Sequence, residues 1–448
     1  MSSRSDLPPN LIEHLRSVLI DLCEHPYPYV SNPPAAPKRA SVALIIRISP
    51  DYAYWPPKES EQSYVNIQNE SVRERLERFF AQDWVKHGDP EVLFIKRSSR
   101  KEDKWSSHVA FPGGRRDPED EDDKAAAIRE SCEEVGIDLS EENAIAAGNL
   151  AQRVVTTSWG KTPLMVLCPY VFVVAKHDIA PLRLQPSEVA SAHWVSLRAL
   201  LSPSQRTVEL VDVANRYKKD LRRWHNHLLL GEMVFAAVRL IPSESIYSTS
   251  QAGFIPEDPK RAPIFYKLRR WLSNDPLPAP SLDVPLHLWG LTLGVMADFL
   301  DLLPPHNAIR LWIYPTFTAY DLQFILWALS YRFRARKEKF LLQGIADMGS
   351  PITLEEGAQA VPIRNESFAN PQLPDADAPS YGEAGIEGLG LGTGRAFQQM
   401  RGSRSDAVGS LLEGYYDYIR HSITVTLFTR TAVAATLVVL FVRKRRRI

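Results

Sequence analysis

The chain is poor in cysteine and has no excess of charge of either sign. Three cysteines among 448 residues, Cys23, Cys132 and Cys168, cannot make a disulfide framework, and none has the CxxC spacing of a zinc site. They fit a reducing compartment. Lys and Arg number 53, and so do Asp and Glu, so no global basic field exists to hold a nucleic acid, and no nucleic-acid partner is expected. The N-terminal MSSRSDLPPNLIEHL lacks an apolar signal-peptide core, so a secretory signal is not expected. No repeat of fixed period is visible.

What is present suffices for a core. Hydrophobic residues make up 44% and charged residues 24%, the balance of a globular chain. The length allows about three domains or one elaborated domain. The 34 prolines exceed the average of about 5% and point to long loops and linkers.

Leu11, Leu15, Val18, Leu19 and Leu22 recur with helical period, between Pro8-Pro9 and Pro26. This predicts a docking helix within an N-terminal segment, residues 1–35. Ser41–Ile48, Glu91–Ile95 and Val166–Ala175 read as buried strands, and His193–Val195 with its neighbours as a shorter one. A helix near residues 124–136 is interleaved with them, which argues for a mixed α/β or α+β sandwich. Two insertions are expected, near 52–89 (helical around Ser71–Phe80) and near 205–263, the latter with a basic helix at Arg216–Trp224 and apolar strands after it. Leu288–Leu303 reads as a buried helix. Residues 306–345 form an accessory helical segment whose aromatics, Tyr320, Phe324 and Trp327, read as core. The Gly/Pro/Ala/Asp-rich stretch 349–410 reads as a disordered linker.

The chemistry concentrates in Phe111–Ile137, FPGGRRDPEDEDDKAAAIRESCEEVGI. At about 100° per residue, Glu130, Glu133 and Glu134 share one edge of a helix, with Ile128, Cys132 and Val135 opposite. Ala126 and Ala127 lie on the glutamate side and leave room beside it. Such a stripe is ordinarily a solvated helix face, yet three clustered carboxylates are also what a hard divalent cation needs. Pro112-Gly113-Gly114 reads as a turn after a strand that can bring backbone amides close to a ligand. Arg129 stands beside Glu130 and four residues before Glu133, where it can orient carboxylates that would otherwise repel. Gly136 reads as the C-cap.

In that order these residues resemble the signature of the Nudix hydrolases, with Gly114, Arg129, Glu130, Glu133, Glu134 and Gly136 at its places and Ser131 where an apolar residue is usual. Glu121 takes the place of the first signature Glu, with Asp120 beside it. AFPGGRRDPEDEDD (Ala110–Asp123) is similar to the coenzyme A pyrophosphatase branch. Glu188–Leu197 (EVASAHWVSL) and His287–Thr292 (HLWGLT) extend the resemblance over about residues 40–305, although Asp103 and Ser107 stand where that branch places Arg and Gly. The resemblance implies a Nudix-type α/β/α sandwich that hydrolyses a diphosphate linkage with Mg²⁺ or Mn²⁺, most directly in coenzyme A or an acyl-coenzyme A. Another nucleoside diphosphate derivative is the alternative, and a binding module without turnover the third reading. Glu130, Glu133 and Glu134 are the implied metal ligands and Arg129 their organiser. Glu188 is a candidate ligand or base, and Arg97, Gly113, Gly114 and Arg115 are candidates for contacting the phosphates.

Two other patterns point nowhere specific. Asp117–Asp123 lacks the Gly that a calcium loop needs at its sixth place, which is Asp122 here. His225 and His227, two apart, face different sides of a helix.

Ile423–Val442 is 20 residues long, interrupted by Arg430 and followed by RKRRR. Twenty helical residues span about 30 Å, the thickness of the hydrocarbon core. Arg430 would cost about 2.5–3.5 kcal/mol at the bilayer centre and less near one end. A tail anchor is expected rather than a surface helix, with the catalytic domain in the cytosol. Its short span and basic end resemble anchors of the mitochondrial outer membrane or peroxisome rather than of the secretory pathway.

Overall fold

The β-branched runs become the centre of a single sheet. The computed structural model describes residues 11–56, 70–98, 108–157, 162–212, 231–248, 286–303, 313–348, 412 and 414–446. In chain order the strands are β1 (Arg39–Ser49), β2 (Asp89–Arg97), β3 (Val109–Ala110), β4 (Gly113–Arg115), β5 (Ala144–Asn149), β6 (Arg153–Thr157) and β7 (Thr162–Val174). They continue with β8 (Val189–Ser196), β9 (Arg206–Asp212), β10 (Glu232–Arg239), β11 (Pro242–Tyr247), β12 (His287–Trp289) and β13 (Thr316–Phe317). The helices are α1 (Leu11–Glu24), α2 (Val72–Phe80), α3 (Asp83–Lys86), α4 (Asp123–Val135) and α5 (Leu197–Leu201), then α6 (Gly290–Leu302), α7 (Tyr320–Met348) and α8 (Tyr415–Arg445).

The main sheet runs β11-β8-β2-β1-β7-β5, with β3 on β2, β4 on β1 and β6 on β7. β1 and β7 are parallel, Ala43 opposite Tyr170, and β1 meets β2 antiparallel, Ile46 opposite Val92. Both faces of these strands are covered, as their continuous apolar runs require. Leu44, Ile46 and Ile48 join the core on one face, with α1, α2 and α6, while Ala43 and Ile45 join the core under α4. The mixed α/β sandwich is therefore layered helix, sheet, helix. Docking of α1 explains its apolar period: Leu15, Leu19 and Leu22 are fully buried, each contributing about 1.5–3 kcal/mol.

The second region expected as an insertion divides between two sheets. β11 extends the main sheet beyond β8, whereas β9 and β10 form a second one with β12 and β13. HLWGLT also divides: His287–Trp289 is a strand, and the helix begins at Gly290. Ser71 caps α2 in a capping box with Glu74, as its sequence suggests. The basic helix expected at 216–224, His225, His227, the linker at 349–410, and the side chains of Asp103 and Ser107 lie outside the described residues.

Packing decides which faces of two helices are buried, and it overturns one expectation. Cys132 is exposed, because α4 turns its Ala126, Ala127, Ser131 and Glu134 side inward. The two alanines let the helix approach the sheet, and the Ser131 hydroxyl donates to the Ala127 carbonyl at 2.7 Å, so serine is tolerated at an apolar place. The aromatics of α7 are not core either. Tyr320, Phe324 and Trp327 are 87%, 66% and 51% exposed; Leu322 and Leu326 are the residues that α7 buries. Among the described residues, α8 is the one helix long and apolar enough to cross a membrane.

Candidate active site

The geometry starts from how α4 is fixed. The Asp122 side chain accepts the Ala125 N–H at 2.7 Å and caps the first turn. Gly136 ends the helix at φ 72°, a left-handed conformation natural to glycine. Asp123 is buried and clamped by Arg39 of β1, whose Nε donates to its two carboxylate oxygens at 3.0 and 2.9 Å. The rest of that guanidinium donates to the Val30 carbonyl, Asn32 Oδ1 and Gln152 Oε1, at 2.9, 2.7 and 2.9 Å. A buried ion pair tolerates desolvation when its remaining donors are satisfied in this way.

Arg129 is the second organiser. Its Nε and one terminal nitrogen grip Asp120 at 2.9 Å each, and its other terminal nitrogen reaches Glu130 at 3.0 Å and Glu133 at 3.3 Å. It also donates to the Arg115 carbonyl at 3.1 Å. The main partner of Arg129 is thus Asp120, the neighbour of Glu121, and Glu121 is exposed. Hydrogen bonding from Arg129 holds the Asp120 carboxyl below its usual range and raises the Arg129 guanidinium in turn.

Gly113 and Gly114 lie in β4, paired with Val42 and Ser41 of β1, rather than in an open turn. The Gly113 N–H donates to Glu134 Oε2 at 2.8 Å, so it is aimed at a side chain of α4. Gly113 has φ 146°, and a Cβ there would lie 2.2 Å from the Ser41 carbonyl oxygen. At Gly114 a Cβ would lie 2.4 Å from Glu130 Oε2. Both glycines are thus needed for the carboxylates to sit this close to the strand.

Glu188 arrives from the loop between β7 and β8. Arg183 N–H and Gln185 N–H donate to the carbonyls of Val135 and Glu134, both at 2.9 Å, and Ser98 N–H donates to the Glu188 carbonyl at 2.8 Å. These bonds stitch the loop to the last turn of α4 and to the end of β2. One oxygen each of Glu130, Glu134 and Glu188 then lie within 4.8 Å of one another. Glu134 is 1% exposed. Burial pushes its carboxyl up to about 8, with Glu130 and Glu188 adding to the rise and the Gly113 N–H and Arg97 opposing it. Burial also raises Glu130, against the neighbouring Arg129.

Glu133 stands outside that group of three. Its side chain is 55% exposed and meets Arg129. Arg97 ends β2 close enough to lower Glu134, whereas the Arg115 side chain is exposed. The Arg39–Asp123 clamp had no signal in the sequence, because its members are 84 residues apart.

Three carboxyl groups this close cannot all ionise readily unless a cation lies between them, and oxygen donors of this kind suit a hard divalent metal. The donor set fits such an ion.

The chain is similar to known proteins. The family profile of the NUDIX domain matches residues 84–213. An uncharacterised protein of Schizosaccharomyces pombe is 34% identical over 320 residues, 70% of this chain and 81% of its own length. The mitochondrial coenzyme A diphosphatase NUDT8 of Mus musculus is 41% identical over 56 residues, 12% of this chain and 27% of its own length. Its Homo sapiens counterpart is 43% identical over 56 residues and 24% of its length, so the chain spans about a quarter of these two diphosphatases. Among solved structures, a C. elegans Ap4A hydrolase aligns at 20% identity over 36% of this chain and 81% of its own, with a TM-score of 0.21. A profile match that spans α4 and the Glu188 loop, with a relative that follows the chain over most of that relative's length, shows that this protein belongs to the Nudix hydrolase family.

Proposed function

We propose that the protein hydrolyses the diphosphate linkage of coenzyme A or an acyl-coenzyme A, giving adenosine bisphosphate and (acyl-)phosphopantetheine. The convergence of Glu130, Glu134 and Glu188 beside Gly113-Gly114 carries the hydrolytic reading. AFPGGRRDPEDEDD and the short match to the coenzyme A diphosphatases support the substrate. Asp103 and Ser107, which depart from the coenzyme A pattern, favour a second reading, the same chemistry on another nucleoside diphosphate derivative.

Glu130, Glu134 and Glu188 would hold Mg²⁺ or Mn²⁺, with Glu133 at the open edge of the same helix. When bound, such an ion offsets the negative charge that builds on the departing phosphate. The chain's own residues do the rest. Arg129, fixed by Asp120, holds Glu130 in place, and the Gly113 N–H fixes one oxygen of Glu134. Glu188, the donor from a separate loop, is also the candidate base for the proton of the attacking water. Arg97 and Arg115 are candidates to meet the phosphates.

The catalytic unit is read as residues 40–305, and Ile423–Val442 of α8 as a tail anchor that leaves it in the cytosol. The mitochondrial outer membrane or peroxisome is the proposed site. Its support is the short apolar span and basic end of α8.

The test incubates the protein with Mg²⁺ or Mn²⁺ and, separately, coenzyme A, an acyl-coenzyme A, ADP-ribose and a dinucleoside polyphosphate. Adenosine bisphosphate plus phosphopantetheine, absent with Glu134→Gln, is the expected result. Cleavage of another substrate alone moves the assignment to the second reading. No turnover on any substrate leaves a membrane-tethered binding module.

A further inference from the structure

α7 and α8 form an antiparallel pair. Asp321, in the first turn of α7, grips Arg430 of α8 through two hydrogen bonds, at 2.5 and 2.6 Å. Further along α7, Phe333 packs against Tyr415 and Tyr418, near the start of α8, with ring centroids 6.1 and 5.3 Å apart. Leu322 and Leu326 of α7 share a small core with Tyr415 and Ile419 of α8 and with Met233 and Phe317 of the second sheet. The Tyr415 hydroxyl donates to the Pro315 carbonyl at 2.9 Å. α8 is therefore seated on the second sheet, and its position is coupled to that of the catalytic unit.

The opposite side of α7 is unusual for a surface in water. Tyr320, Phe324, Trp327 and Tyr331 fall within about 60° of one another on a helix, away from the packed residues Leu322, Leu326, Ser330 and Phe333. Tyr331 is 57% exposed, like the three others. On α8, Val425, Leu427 and Phe428 are exposed as well, between Arg430, which meets α7 at Asp321, and Tyr418, which meets it at Phe333. These α8 side chains stand at the same level along the pair as the α7 stripe. Four exposed aromatics on one helix face mark an interaction site. Arg332, Arg334, Arg336 and Lys337 follow the stripe directly.

We propose that the Tyr320–Tyr331 face of α7 is a second lipid-contacting surface, seated in the headgroup and upper acyl region of the bilayer that α8 enters. The inference rests on the reading of α8 as the membrane segment. Tyr and Trp are the side chains that favour a membrane interface, with an apolar body and a polar tip, and the basic run after them complements anionic headgroups. Arg430, the one charge that interrupts the span, meets an acid of α7 instead of standing alone. The anchor is then a two-helix foot, and the catalytic unit is held against the membrane instead of hanging from a tether.

The test uses the full chain reconstituted into phosphatidylcholine–phosphatidylserine vesicles whose upper acyl chains carry bromine, a short-range quencher of tryptophan. Flotation with the vesicles reports α8, which contains no tryptophan, and the part of the emission that Trp327→Phe removes reports α7 among the chain's ten tryptophans. The expected result is that the protein floats, that bromination lowers its emission, and that Trp327→Phe, equally floated, loses most of that drop. A floated protein whose quenching is the same with and without Trp327 overturns the proposal and leaves α8 as the anchor, with a protein partner as the occupant of the α7 face. Failure to float removes the anchor reading and this proposal together. Phe324→Trp serves as the gain-of-signal control, since a folded variant with the face in lipid shows added quenching.

Discussion

The two faces of the main sheet use the same strands for opposite ends. Under α1, α2 and α6, alternate residues such as Leu44, Ile46, Val92 and Phe94 meet an almost wholly apolar layer. Under α4, the intervening residues Ala43, Ile45, Leu93 and Ile95 make a smaller core, and its margin is filled by Arg39, Asp120, Asp123, Glu130 and Glu134. The first face gains free energy by removing surface from water. The second spends part of that gain to bring like charges together: Arg39 matches Asp123, Arg129 matches Asp120 and also meets Glu130, and the repulsion left over falls on the Glu130–Glu134–Glu188 set. Repulsion concentrated at one place on an otherwise satisfied face is what a metal-dependent site requires.

Breaking the match should cost most. Arg39→Ala leaves Asp123 buried without its partner, and urea unfolding should show a loss of about 3–5 kcal/mol; a loss below about 1 kcal/mol would mean that water replaces the clamp. His193 tests the apolar face. Buried between Ser191 and Ser245, with Tyr247 edge-on and Lys96 as its charged neighbour, it is pushed down to about 4, chiefly by desolvation. The unfolded chain takes up that proton near 6.5 and the native one only near 4. Stability that is full above pH 6.5 therefore falls as pH drops toward 4, by about 3 kcal/mol. His193→Gln should flatten that slope in thermal scans, and an unchanged slope would assign the pH dependence elsewhere.

Two substitutions sharpen the contrast by removing chemistry with little loss of stability. Glu134→Gln should lower turnover by about 100-fold or more without lowering the unfolding midpoint, since burial already holds this carboxyl largely neutral and the amide keeps its shape. A lowered midpoint with retained turnover would make Glu134 a structural group. Asp120→Asn, which weakens the grip on Arg129, should cost about 10-fold in activity, seen as a higher Mg²⁺ or Mn²⁺ concentration at half-maximal rate. An equal drop at saturating metal would place Asp120 outside the metal site.

Much of this organisation was legible before any coordinates. The Arg129–Gly136 pattern, the capped α4, the buried β1, β2, β7 and β8 and the docking helix α1 all depend on short-range periodicity and capping, which the sequence displays directly. Asp120 was legible only as a neighbour of Glu121, because which of two adjacent acids faces Arg129 depends on the turn between β4 and α4. The exposure of Cys132 was not legible, because a helical wheel ranks faces by polarity, while the alanines and the Gly113 N–H favour burying the Glu134 side. The aromatics of α7 were misread for the same reason: periodicity shows that a stripe exists and is silent about what faces it.

The sequence by itself determined the layered α/β architecture, the family and the helix that carries the acids, since each follows from residue patterns within a few turns. Only the tertiary structure decided that Glu188, 54 residues beyond Glu134, completes the carboxylate group, that Arg39 holds α4 down, and that Arg430 finds Asp321. Those pairings depend on where separate segments come to rest on the sheet, and long-range packing rather than local pattern sets that.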